Sequence, residues 1–151
     1  MDKKPNIDAL HRTMFVIWGA MLFAQFLFLV VGYSTKPALL FLDPSKPVLG
    51  ADPMPTMILI ALAFIMLVGS FVVKKNLIAG AVGRRDVAAL QSAYVVGMAM
   101  AESISLIGLV AAFVFDYQYF AGFIVLGMIA IALHYPKMSS ILAATFRDKL
   151  E

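Results

Sequence analysis

The sequence predicts an all-α protein, a four-helix transmembrane bundle with both termini cytoplasmic and a short C-terminal interfacial helix. Three observations predict it. Of the 151 residues 62% are hydrophobic and only 14% are charged, with a mean hydropathy of +0.92, whereas a soluble domain carries about 45–50% apolar and about 25% charged residues. Such a chain cannot cover its surface with polar groups. The apolar residues gather into four stretches of the length, about 20 residues, that a helix needs to cross roughly 30 Å of hydrocarbon. The basic residues sit in short clusters at the ends of those stretches.

The whole chain, 1–151, reads as one transmembrane domain. The first span covers about 13–33 and contains no charge. Its apolar run of about 21 residues exceeds the 7–15 of a typical signal-peptide core, so it is expected to stay as a helix. Residues 34–55 carry Pro37, Pro44, Pro47, Pro53 and Pro55 and form a loop, ordered or partly ordered. The second span covers about 56–73 and ends at Lys74 and Lys75. A basic turn from Gly80 to Asp86 leads to the third span, about 87–115, whose one charge is Glu102. Asp116 interrupts, and the fourth span runs over about 117–136, closed by Pro136. So short a break makes the third and fourth helices antiparallel neighbours. Beyond it Met138, Ile141, Leu142 and Phe146 fall at helical spacing beside Lys137, Arg147 and Lys149, the pattern of a short amphipathic helix on the membrane surface or of a frayed tail.

Lys and Arg near span ends are retained on the cytoplasmic side. Lys3, Lys4, Arg12, Lys74, Lys75, Arg84, Arg85, Lys137, Arg147 and Lys149 fall on one side of a four-span arrangement, and only Lys36 and Lys46 on the other. This split predicts cytoplasmic termini and a cytoplasmic Arg84–Arg85 turn, with the Pro-rich loop and the Asp116 turn outside. The expected location is an integral protein of a bacterial inner membrane.

The net charge of +3 is small and the basic residues are divided among short clusters instead of forming one patch, which argues against nucleic-acid binding. The absence of cysteine removes disulfides, thiolate metal sites and thiol nucleophiles together. Phosphate-loop, zincin and serine-hydrolase motifs are absent, and no nucleophile, base and orienter can be assembled from the buried polar residues. No enzyme activity, cofactor or metal is expected. His11 and His134 fall at cytoplasmic span ends, where a solvated or interfacial histidine is the ordinary case, and the ten methionines read as core filler.

Glu102 lies near the middle of the third span. An acidic residue at the centre of a membrane helix costs about 2.5–3.5 kcal/mol, so it faces protein or a water-filled path and marks a candidate site. Two readings stand open: a carboxyl that takes up and releases an ion, or a protonated one that donates a hydrogen bond to a neighbouring helix. Around it Ala93, Gly97, Ala101, Ser105, Gly108 and Ala112 recur at three- and four-residue spacing, a stripe of small side chains that lets helices pack closely in lipid. Gln25, midway along the first span, is the second polar residue at depth. It either pairs with Glu102 or satisfies itself within the bundle.

The segment RRDVAALQSAYVVGMAMAESISLIGLVAAFVF, residues 84–115, resembles the carboxylate-bearing half of the rotary ATP synthase c subunit, the membrane proteolipid. The matching positions are Gly97, Ala99, Glu102, Ser103, Gly108, Leu109, Val110 and Ala112, preceded by a polar loop with Arg84 and Arg85. The resemblance implies that Glu102 binds a proton or sodium, that Ser103 and Gln25 are candidate co-ligands, and that Arg84 and Arg85 belong to a loop contacting a partner. The first and fourth spans have no counterpart in that two-helix subunit. The sequence therefore carries two expectations. One is an ion-handling membrane subunit, and the other is a structural or accessory subunit of a membrane complex. In both, the partners are membrane lipid and other membrane subunits or copies of the chain itself.

Overall fold

The computed structural model describes residues 7–50 and 52–145. They form helices α1 (Ile7–Thr35), α2 (Pro53–Arg84), α3 (Val87–Phe115), α4 (Phe120–Leu133) and α5 (Met138–Thr145), with a 3-10 turn at Pro37–Leu40. There is no strand among the described residues. Three helices, α1, α2 and α3, are long and apolar enough to cross a membrane. At about 1.5 Å per residue, α1 and α3 reach about 43 Å and α2 about 48 Å.

Backbone caps explain where α3 begins and ends. Arg85 and Asp116 both adopt left-handed conformations, with φ of 54° and 49°, and close the preceding helices. The amide of Asp86 reaches back to the Ala81 carbonyl, and that of Tyr117 to the Ala111 carbonyl, both at 3.0 Å. These bonds satisfy carbonyls that a helix end leaves open. Asp86 then caps α3, accepting from the Ala89 amide at 2.9 Å.

Two boundaries differ from the sequence reading. The second helix does not end at the Lys74–Lys75 pair or give way to a turn at Gly80; it continues to Arg84. No proline interrupts this stretch, and Ala81, fully buried beside Leu90 and Ile141, anchors the extension. The fourth helix is shorter than the expected span, 120–133 instead of 117–136. Its 14 residues reach only about 21 Å. Pro136, which has no amide hydrogen to give, lies in the break after which α5 departs at 47°.

The residue pairing fixes how the helices run. Ala81 packs with Leu90, Lys74 approaches Gly97, and Met100 approaches Gly69, so α2 and α3 are antiparallel. Gly108 meets Phe120 and Phe123, Gly127 meets Ser105, and Gly97 meets His134, so α3 and α4 are antiparallel too. Met14 joins Met98 in one cluster and Leu109 lies against Gly32, so α1 and α3 run parallel. One end therefore gathers the start of α1, the α2–α3 turn and α5. It is called the basic end here, and the other, with residues 36–52 and the Asp116 turn, the loop end.

α3 is the central helix. Of its most apolar stretch 44% is buried, against 11% for α1 and 17% for α2. The outward faces of α1 and α2 present Phe23, Phe26, Val30, Phe64 and Ile65, all largely exposed. Apolar surface so extensive would be unfavourable in water and is at ease in hydrocarbon. The terminal helix α5 is not free: Ile141 and Ala144 bury against the core, while Met138 and Leu142 stay exposed. Phe146, Arg147 and Lys149 lie outside the described residues, as do Lys3 and Lys4.

The Pro-rich segment is tied down at the loop end. Lys36 pairs with Asp116 at 2.6 Å. The Gln118 amide clamps the backbone of Asp43 from both sides, accepting from its N–H at 2.9 Å and donating to its carbonyl at 3.1 Å. The Tyr117 hydroxyl donates to the Val48 carbonyl at 2.9 Å.

Candidate functional site

The small residues of α3 sit where helices meet. Ala93, Gly97, Ala101, Ser105, Gly108 and Ala112 are all buried. A methyl group added at Gly108 would lie 2.8 Å from the Phe123 Cβ and 2.9 Å from the Phe120 carbonyl oxygen, closer than packed atoms approach. The stripe is thus filled by helices of the same chain, which draws α4 against α3.

Gln25 and Ser105, both fully buried, are brought together by this packing. The Ser105 hydroxyl donates to the Gln25 Oε1, and the Gln25 Nε2 donates back to the Met21 carbonyl at 3.3 Å. This pair links α1 to α3 at depth. The alternative pairing, Gln25 with Glu102, does not occur. Gln25 lies on the line of α1 that faces Ser105, and its Oε1 is engaged there.

Glu102 is half-buried. It shares the α3 line of Met98, four residues before, and Leu109, seven after, both of which face α1. Among the described residues its carboxyl makes no hydrogen bond and no ion pair. Ser103 lies about 100° farther round the helix and donates to the Ala99 carbonyl of its own helix at 3.0 Å. Glu102, Ser103 and Gln25, expected as one set of ion ligands, are therefore not gathered around one point. Their hydrogen-bonding groups go to three different places. Arg84 ends α2 and Arg85 caps it; both are exposed.

A second polar cluster, at the basic end, was not anticipated. His134 is not solvated or interfacial but fully buried. Its ring lies 4.5 Å from that of Phe71 and fits the notch at Gly97, where an added methyl would come within 2.8 Å of it. Nδ1 donates to the Ala130 carbonyl at 2.7 Å, leaving Nε2 buried without a hydrogen-bond partner. Beside it, the Lys74 ammonium stands 5.8 Å from the Phe71 ring centre and 5.3 Å from that of Tyr94, a cation held by aromatic faces. The Tyr94 hydroxyl accepts from the Lys137 amide at 3.1 Å and donates to Ser140 at 3.3 Å, tying α3 to the start of α5. Trp18 donates to the Ile131 carbonyl at 2.9 Å and completes this end from α1. The available signal was Gly97: a glycine in a small-residue stripe admits something bulky from a neighbour, here an imidazole.

Compared with protein families, with curated proteins and with solved structures, the chain finds no match.

Proposed function

We propose that this chain is a structural or accessory subunit of a larger membrane assembly, in which a group on a second chain completes the Glu102 carboxyl. The observation that carries the proposal is the contrast between Glu102 and the other deep polar groups of the spans. Gln25 and Ser105 bond each other, and Ser70 donates to the Leu67 carbonyl at 2.7 Å. Glu102, the one acid within the span of α3, has no such partner and is partly open. An acid at that depth is costly unless it meets a polar partner, and the partner left to it is a second chain. On the same side of α3, Val95, Leu106 and Phe113 are exposed and leave room for one.

In this proposal the α4–α5 segment provides a fourth crossing, both termini are cytoplasmic, and the loop end faces outside. The ten-to-two division of Lys and Arg supports that orientation. We assign the chain to a bacterial inner membrane, where helical spans, not the barrels of the outer membrane, are the rule.

Proton or sodium relay through Glu102 is a second reading, favoured by the resemblance of 84–115 to the ATP synthase c subunit. Because Gln25 and Ser103 are engaged elsewhere, an ion path would have to run along a boundary between chains. Extraction of the native particle in mild detergent separates the readings. In an assembly role, Glu102→Ala lowers the amount of chain recovered with its partners several-fold and Glu102→Gln lowers it less. In a relay role, Glu102→Gln leaves the particle whole, abolishes an ion-linked activity and blocks labelling by a hydrophobic carbodiimide. A Glu102→Ala particle with unchanged composition would exclude the assembly role.

A further inference from the structure

Two hollows at the loop end, one polar and one apolar, share a wall at Tyr117. The first, about 530 Å³, is lined by Lys46, Asp52, Thr56, Asp116, Tyr117 and Gln118, among others. The second, about 360 Å³, is an apolar groove between α2 and α4 lined by Ile60, Ala63, Leu67, Phe123 and Leu126, and Tyr117 belongs to its wall as well. On α2 the residues Thr56, Ile60, Ala63 and Leu67 follow one another at helical spacing, so a single line of side chains leads from the polar hollow into the groove. The groove stays open because α2 and α4 barely touch and because Gly122, in its wall, has nothing within 4 Å of where a side chain would begin.

The polar hollow has unspent hydrogen-bonding capacity. Thr56 is only 4% exposed, yet its hydroxyl has no hydrogen bond among the described residues. The Lys46 ammonium likewise has no hydrogen bond or ion pair there. Asp52 uses Oδ1 to accept from the Met54 amide at 3.2 Å, and Asp116 uses Oδ1 for Lys36. Each carboxylate keeps a second oxygen. The hollow thus offers one cation and one hydroxyl to a phosphate, and two carboxylate oxygens to an ammonium.

We propose that the polar hollow and the α2–α4 groove together bind one phospholipid with a primary-amine zwitterionic headgroup, its phosphate at Lys46 and Thr56, its ammonium at Asp52 and Asp116, and an acyl chain along Ile60, Ala63 and Leu67. A purely anionic headgroup would bring no ammonium to the free oxygens of Asp52 and Asp116, of which only Asp116 is paired with a lysine. A trimethylammonium headgroup has no N–H to donate to them. The proposal rests on the chain being embedded in lipid and on neither reading of Glu102.

The test is native mass spectrometry of the delipidated full chain in detergent, offered phosphatidylethanolamine, phosphatidylglycerol and phosphatidylcholine at equal concentration. One phosphatidylethanolamine is expected to be retained about tenfold more tightly than either of the others, a difference of about 1.4 kcal/mol. Gly122→Trp, which fills the groove, should remove that preference, and Thr56→Val should weaken it. Gly80→Trp, at a helical glycine equally open but near the basic end, should leave it intact. Equal retention of the three lipids by the unaltered chain would overturn the proposal without any variant needing to fold. So would a Gly122→Trp protein that keeps the preference. Displacement of the lipid by soluble phosphoethanolamine at the same concentration would assign the hollow to a small solute and overturn the lipid as its occupant.

Discussion

Gly97 carries more of the architecture than its size suggests, because the His134 ring and the Lys74 Cβ both press on it. The ring cannot swing aside: it is bonded to the Ala130 carbonyl and packed against Phe71. Gly97→Ala should therefore destabilise the fold by about 1–3 kcal/mol through overpacking. Gly80→Ala, where nothing stands nearby, should stabilise it by about 0.5–1 kcal/mol, the helix preference of alanine over glycine. Detergent-based unfolding followed by circular dichroism would measure both, and equal effects would refute the close approach. The Gln25–Ser105 bond is another contact that holds helices together. A double-mutant cycle of Gln25→Leu and Ser105→Ala should give a coupling of about 0.6–1.7 kcal/mol, from the average to the maximum found for hydrogen bonds between membrane helices. Zero coupling would mean that the pair is not formed.

At the scale of elements, the loop from 36 to 52 owes its order to short polar contacts. Asp43 accepts from the Ser45 amide at 3.0 Å and from its hydroxyl at 2.6 Å. Bonding to Ser45, through the hydroxyl first and the amide second, holds the Asp43 carboxyl below its usual pKa. The sign follows: a depressed folded pKa means the contribution is complete above the ordinary carboxylate value of about 3.9 and fades as pH falls through the lower, folded one. Amide exchange at Ser45 should accordingly stay slow near neutrality and accelerate below about pH 4, once intrinsic exchange is corrected for. A protection factor at Ser45 that is the same with the Asp43 carboxyl ionised and with it protonated would contradict it. The α3 boundaries were legible in the sequence because Asp86 and Asp116 are polar punctuation in an apolar text. The end of α2 was not, since Lys74 and Lys75 look like a span terminus. Lysine stems pack along helices while their ammonium groups find aromatic faces or water, and Lys74 does this over Phe71 and Tyr94.

For the whole molecule, the two ends are chemically distinct, and orientation is open to direct measurement. The chain has no cysteine, so single cysteines can be introduced at Ser45 and Ser139, both exposed and at opposite ends. With both termini cytoplasmic, Ser45→Cys should react with an impermeant maleimide added outside intact cells. Ser139→Cys should react only after the membrane is opened. The reverse pattern would invert the topology, and outside labelling of both would show that α4 and α5 do not complete a crossing. The Glu102 variants belong to this scale as well, because what they read is composition of an assembly.

Composition and span length alone determined that the protein is helical and apolar enough for lipid, since a backbone in hydrocarbon must satisfy its own hydrogen bonds. Local polar residues placed the limits of α3. The small-residue stripe was visible too, although not what fills it. Which polar groups meet was decided only by tertiary structure, because a partner on another helix is a matter of axial register and rotation that a single helix does not encode. Thus Gln25 finds Ser105 and not Glu102, and His134 becomes a buried wedge where its position at a span end promised contact with water. Glu102 is left half-buried and, among the described residues, unpaired in a chain whose other deep side chains are mostly matched.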